Sequence, residues 1–508
     1  MDSGPDGGIS ASLSYQYVSA VLFEVFGAVF YIVITKTLPT SEVGIITLIL
    51  AVSSLLNIAF SFGFPVSAQH FISYFKGKKD EAEMKGITTR MVLIGSGLSI
   101  LAVAFSFLVA KPLAALFLHN TADYVYIYVA SFYIGAGIIF GVLHGVALGH
   151  QLFKADAVTY LSSASFSYLI GLLFLLFLHN IEYIFVGFGV SYLYGSIIYI
   201  ALLTTREKAV KESSEKTSMS LIFAYSWPII LSSLIGYGSQ YIDRFVVAYF
   251  LDVSTLGIYS FALILSSSLA FFAGPLVNVL IPKLSEYFSI NDRSKLTRGV
   301  NLSSTLMVLI YSPLSLGLAS IAPIVLSLLA KSVYSTGTAA LMILVGVSSF
   351  FLIWNIFSSV IYATKKTKVY ILSTSVTLAS NVILSFFLIP KMGMIGAAIA
   401  NSSVNIFSFV VTYYYAIVKE AIKFDWTTIL KIWFSSMIMF AFVLVERIYV
   451  GNAYKFLPLY IISGALVYFF SLNLIKSLKS YSKEEFLSYI PIRFHFRRIA
   501  RTILGKAF

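Results

Sequence analysis

The stretch Tyr225–Leu251 reads YSWPIILSSLIGYGSQYIDRFVVAYFL, and its reading decides the class of the chain. It is apolar and long enough to cross a bilayer, which takes about 20 residues of helix. Yet it holds an adjacent acid and base, Asp243 and Arg244. A charge in the bilayer interior costs at least ~2.5–3.5 kcal/mol and is kept where it faces protein or a water-filled cavity. Ser233, Gly236, Gln240 and Asp243 recur at helical spacing and so share one polar face of small residues, suited to line a cleft. Arg244 lies about 100° around the helix from Asp243, within reach of Gln240 one turn back. Asp243 sits roughly 20 Å beyond Pro228 along the axis, toward the outer part of the span, and Pro228 is placed to hinge it.

Working outward, the same composition continues on both sides. The 508 residues are 58% hydrophobic and 11% charged, against roughly 25% charged in a soluble domain. With a mean hydropathy of +0.89 and repeated apolar runs, the chain reads as an all-α polytopic membrane protein. About fourteen spans are expected, near 14–36, 43–64, 87–110, 123–148, 157–178, 182–204, 220–250, 256–281, 300–330, 336–363, 368–389, 393–418, 428–446 and 456–475. The start, MDSGPDGGISAS, lacks a basic region and a cleavage motif, so the first span is expected to act as the insertion signal.

The formal charge of +13 is not a nucleic-acid signal, because basic residues gather in alternate loops. Lys76, Lys78, Lys79 and Lys85 follow the second span; Lys365, Lys366 and Lys368 follow the tenth; the tail carries Arg497, Arg498 and Arg501. This alternation predicts cytoplasmic even-numbered loops and cytoplasmic termini, in a multi-pass protein of the cell membrane. The absence of cysteine removes thiolate nucleophiles and Cys-ligated metals. No nucleotide-binding loop, nucleophile elbow, zinc motif or close pair of intramembrane carboxylates is found, so a transporter is expected, not an enzyme. No metal or cofactor is called for.

Residues near 38–86 match those 213 positions later without gaps. Leu38, Ser41, Gly44 and Ile45 pair with Leu251, Ser254, Gly257 and Ile258; Tyr74, Phe75 and Gly86 pair with Tyr287, Phe288 and Gly299. The repeats are parallel. They predict a first lobe over 1–211, a cytoplasmic linker over 212–219, a second lobe over 220–420, two further helices over 421–475 and a basic amphipathic tail over 476–508, which is suited to anionic lipid. In the first copy, Phe30 and Tyr31 stand where the second has Asp243 and Arg244, so the repeated fold itself does not demand the charged pair.

Two readings of the pair stand side by side. In one, Arg244 meets a phosphate or other anion, and Asp243 holds the guanidinium or takes H⁺ or Na⁺. In the other, the pair only fixes helix contacts. Glu24, the lone acid of the first span, is a second candidate for a coupling cation or, equally, a hydrogen-bonded structural carboxyl. Arg90, at the start of the third span, reads as a substrate contact or as a snorkelling edge residue. His144 reads as a satisfied structural histidine, and the intramembrane asparagines as inter-helix hydrogen-bonding groups.

The run Asn381–Asn401, NVILSFFLIPKMGMIGAAIAN, resembles the hairpin of spans eleven and twelve in the polysaccharide-transporter family of the multidrug/oligosaccharidyl-lipid/polysaccharide exporter superfamily. The matching features are Asn381, Leu388-Ile389-Pro390, Gly393 and Gly396-Ala397-Ala398. Tyr225–Pro228 through Ile242-Asp243-Arg244 to Leu256–Tyr259, and Leu38–Ile45, look like the same family. The resemblance implies two six-helix bundles in a V around a central cavity, plus two extra helices. It implies a flippase that moves a polyprenyl- or dolichyl-(pyro)phosphate-linked oligosaccharide to the outer leaflet by alternating access. The lipid-linked glycan and membrane lipids would be its ligands, glycosyltransferases its suppliers, and the chain would act as a monomer. A cation-coupled multidrug exporter on the same scaffold is the alternative. The pair Asp243-Arg244, with Gln240 and Arg90, would then meet substrate.

Overall fold

The computed structural model describes residues 22, 25–204, 217–270, 280–281 and 284–478. Most of the 212–219 linker, the tail beyond 478, Glu24 and Asn278 lie outside the described residues. Among the described residues there is no strand. Eleven helices among them are long and apolar enough to cross a membrane.

The first compact unit is Met1–Gly257. It contains α1 (Val25–Thr37), α2 (Thr40–Ser61), α3 (Phe64–Gly77), α4 (Glu81–Leu113), α5 (Tyr124–Gly149), α6 (Phe153–Leu178), α7 (Glu182–Thr204) and α8 (Met219–Phe250). The helix α9 (Val253–Ala270) begins in this unit and runs on into the second, Ile258–Phe508. There follow α10 (Arg293–Leu329), α11 (Thr338–Phe351), α12 (Trp354–Ala363), α13 (Thr367–Tyr413), α14 (Trp426–Val450) and α15 (Leu457–Leu474).

Three differences from the expected spans have local causes. The second span breaks at Phe62 and Gly63, whose φ values of 50° and 72° turn the chain, and α3 then extends to Gly77 through what was expected as loop. The tenth breaks into α11 and α12 at Leu352, whose carbonyl takes both the backbone N–H and the side-chain Nδ2 of Asn355. The eleventh and twelfth join without a loop: α13 turns at Gly393 (φ 58°), next to Pro390. Ser403 donates to Ser380 Oγ at 3.3 Å, whereas 23 residues of straight helix would hold them ~35 Å apart. The chain therefore folds back on itself there, as the Pro and Gly pattern implies. The first and eighth expected spans are described only in part, as α1 and α9.

The split falls after Gly257, so α8 groups with the first unit. Small residues let it sit close to α2 and α3. Ser67 and Ser226 share a hydrogen bond of 2.6 Å, Tyr237 donates to the Ala51 carbonyl, and a Cβ on Gly63 would lie 2.9 Å from the Ser226 carbonyl. Within the unit, α5 is the central helix, contacting α2, α3, α4 and α7. In the second unit α10 holds that place, and Leu302, Ile356, Phe357, Ile432 and Leu472 around it are all fully buried.

The spacing of the repeat carries a one-residue slip. Helices α2 and α9 start at Thr40 and Val253, 213 apart. The turns that follow are built alike at an offset of 212. Asp80 N–H donates to the Phe75 carbonyl and Asp292 N–H to that of Tyr287, Lys79 and Asn291 take φ 58° and 53°, and both aspartates cap the next helix. The matches of Tyr74, Phe75 and Gly86 are therefore not structural equivalents. The same closure recurs at Gln151, Lys365, Ala421 and Lys476, each left-handed, with the next N–H reaching back five residues. The described turns after even-numbered spans thus share one C-terminal cap.

Candidate functional site

Helix α8 is 32 residues long, roughly 48 Å, and Ser218 caps its start by accepting from Leu221 N–H. Its polar face divides in two. Ser233 and Gln240 are exposed, and a Cβ on Gly236 would meet nothing within 4 Å. The next residue on the face, Asp243, is 0% exposed. Exposure along this face thus runs from Ser233 to Gln240, about two turns, and stops at the carboxylate, which the protein encloses.

Arg244 is half-buried, with its Nε and Nη1 shielded from solvent. Its guanidinium lies 4.0 Å over the ring of Tyr241, and Tyr241 stacks on Tyr237 at 4.4 Å and 6°. Residues 237, 241 and 244 follow at helical spacing, so one ladder carries the cation from the α2 contact upward. A desolvated cation over an aromatic face gains up to about 2 kcal/mol. Sequence reasoning placed Arg244 toward Gln240 and missed Tyr241, although the i, i+3 spacing was there to find it. Tyr31, the repeat counterpart of Arg244, packs its ring edge-on against Phe30 at 5.5 Å.

Arg90 is placed differently. It lies on α4, where Nη2 pairs with Glu83, Nη1 donates to the Thr217 carbonyl at 2.6 Å and Nε to that of Gly86 at 3.0 Å. Glu83, 3% exposed, also accepts from Thr217 N–H at 2.9 Å. This network pins the start of α8 to α4 and commits the guanidinium to protein acceptors. It is not brought together with Asp243 and Arg244. Glu24 lies outside the described residues.

Two further ionic clusters were not anticipated. His144 and Tyr199 both reach Asp156 Oδ1 at 2.7 Å, joining α5, α6 and α7. Asp156 falls just outside the expected span 157–178, because α6 starts four residues earlier, at Phe153. His144 is accordingly a satisfied histidine. In the second unit, Glu420 binds Arg293 at 2.8 Å and also Lys366.

Comparison with known proteins follows this geometry. A model of the polysaccharide biosynthesis protein family matches residues 10–288, more than half of the chain. The chain is 24% identical over 304 residues to the probable low-salt glycan biosynthesis flippase Agl15 of Haloferax volcanii, covering 59% of this chain and 64% of that protein. The chain thus spans somewhat less than two thirds of that relative's length. It is 23% identical over 419 residues to an uncharacterized membrane protein of Methanocaldococcus jannaschii, covering 77% and 80%. Among solved structures, the lipid II flippase MurJ in an inward closed conformation matches with a TM-score of 0.73 at 17% identity, over 90% of this chain and 98% of that one. An inward-facing multidrug transporter of the MATE family matches at 0.68 and 14%, over 78% and 94%. At such identities the solved structures establish the fold alone. From the family match, the chain belongs to the polysaccharide biosynthesis protein family, as a multi-pass membrane protein with the fold shared by MurJ and the MATE transporters.

Proposed function

We propose that the protein is a flippase that carries a polyprenyl- or dolichyl-(pyro)phosphate-linked oligosaccharide from the cytoplasmic to the outer leaflet by alternating access. The observation that carries this reading is Arg244, a guanidinium kept inside a membrane-spanning helix on an aromatic ladder, beside a fully enclosed carboxylate. The lipid phosphate is costly to bring through hydrocarbon, and a planar five-donor cation replaces its hydration. The exposed face from Ser233 to Gln240 offers hydroxyl and amide groups to the sugars. The glycan flippase among the relatives supports the same substrate class.

The basic loops set the orientation, with the even-numbered turns in the cytoplasm of a cell-membrane protein. Glycosyltransferases supply the substrate, and the chain acts as a monomer. Arg90 is assigned to positioning α8 and not to substrate. The test is Arg244→Ala at normal membrane abundance. We expect lipid-linked glycan to accumulate facing the cytosol. Undiminished surface glycan together with gained drug sensitivity would instead make this a multidrug exporter.

A further inference from the structure

A cavity of about 370 Å³ opens in the first unit between the end of α3 and the start of α8. His70, Phe71, Tyr74, Thr217, Ser218 and Leu221 line it. Among the described residues, those that line it carry no carboxylate, ammonium or guanidinium. Its frame is fixed before any ligand arrives. The Thr217 peptide is held on both sides by Glu83 and Arg90 at 2.9 and 2.6 Å, and the His70 ring stacks on Tyr225 at 4.5 Å and 12°. Tyr74 is 51% exposed, with Lys78 Nζ 4.8 Å over its ring at the rim.

Aromatic rings beside hydroxyls and an imidazole are the chemistry of a sugar site. The rings cover the C–H faces of a pyranose, while the hydroxyls and imidazole exchange hydrogen bonds with its hydroxyls. The described lining of rings, hydroxyls and one imidazole suits sugar hydroxyls better than a pyrophosphate. The volume lies near the lower end of ligand pockets, about 300–1,000 Å³, so it takes a sugar unit and excludes a whole glycan or a prenyl chain. From Ser218 to Arg244 the helix runs ~39 Å. The pocket and the guanidinium therefore cannot grip the same group.

We infer that this pocket is a docking site for one neutral sugar ring of the glycan, used on the side of the membrane that carries the basic turns, before the headgroup reaches Arg244. The inference rests on the flippase reading and adds a second station to it.

The test uses the full chain in nanodiscs and, as probe, the free oligosaccharide released by mild acid from the host's lipid-linked pool. Binding is read by saturation-transfer NMR, and flipping is measured in parallel on vesicles holding the intact lipid-linked glycan. Wild type should saturate the sugar ring protons. Tyr74→Ala and Thr217→Val should each weaken binding about fivefold, the factor expected for one lost contact or hydrogen bond. Arg244→Ala should keep oligosaccharide binding while flipping is lost. Both pocket variants should elute and melt like wild type, since Tyr74 is largely exposed and valine preserves the shape and backbone bonds at 217. No binding by wild type, equal binding by the pocket variants, or loss in Arg244→Ala as well would overturn the docking site. Unchanged flipping by Arg244→Ala would overturn the flippase reading instead, whatever the pocket does.

Discussion

At the scale of single residues, the structure turns a charge in an apolar run into a supported group. The Arg244 guanidinium lies over the ring of Tyr241, which in turn stacks on Tyr237. A lysine keeps the charge but loses the planar stack and the forked donors. Arg244→Lys should therefore lower the flipping rate roughly tenfold, the order of one cation–π contact, with unchanged abundance. Full activity in Arg244→Lys would show that charge alone suffices. Glu420 makes a different prediction. Burial pushes its carboxyl upward, but hydrogen bonds from Lys366 and then Arg293 outweigh burial and hold it below the ordinary range. Its contribution is thus present above the unfolded carboxyl's ordinary value and lost as pH falls through the lower folded one. Glu420→Gln should lower thermal stability by about 1–2 kcal/mol near neutral pH, and the gap to wild type should close in acid. A gap that does not vary with pH would refute the ion network as its source.

At the scale of elements, closeness between helices is bought with side chains that are missing. A Cβ on Gly44 would fall 1.7 Å from the Val253 carbonyl, and one on Gly257 would fall 2.2 Å from that of Thr40. These are repeat partners, and they meet where the start of α2 crosses the start of α9, with Thr40 and Ser254 hydrogen-bonded beside them. Gly44→Ala should cost ~3 kcal/mol or more, since backbone and not a flexible side chain stands in the way. Gly97→Ala on α4 is the control, because its Cβ would meet nothing within 4 Å and should stabilise the helix by roughly 0.5–1 kcal/mol. Matching melting points for the two variants would contradict the close crossing. The pairing of Gly44 with Gly257 was legible in the sequence. What it was for was not, because a shared glycine says only that room is needed, not what occupies it.

At the scale of the molecule, alternation of basic turns and one recurring cap describe a chain laid down in a regular rhythm. Six turns after even-numbered spans close with a left-handed residue, at Lys79, Gln151, Asn291, Lys365, Ala421 and Lys476. The chain has no cysteine, so single cysteines report topology cleanly. A cysteine at Lys79 should react with a membrane-impermeant maleimide only after the cytosolic face is opened, and one at Lys391 in intact cells. The reverse pattern would invert the proposed direction of transport. The helical membrane class, most span positions and the Gly393 hairpin were readable beforehand, since each follows from periodicity and backbone preference over a few neighbouring residues.

Hydropathy along the chain determined that this is a helical membrane protein with an acid and a base side by side in one span, Asp243 and Arg244. Only the folded molecule decided that Asp243 is enclosed while Gln240 is exposed, that Arg90 ties down α8, that Asp156 meets His144 and Tyr199, and that α8 belongs with the first unit. The physical reason is range. Helix and turn are set by each residue's own torsions and near neighbours, whereas burial and pairing depend on side chains more than a hundred positions away in several of these contacts, and nothing local encodes which of them arrive.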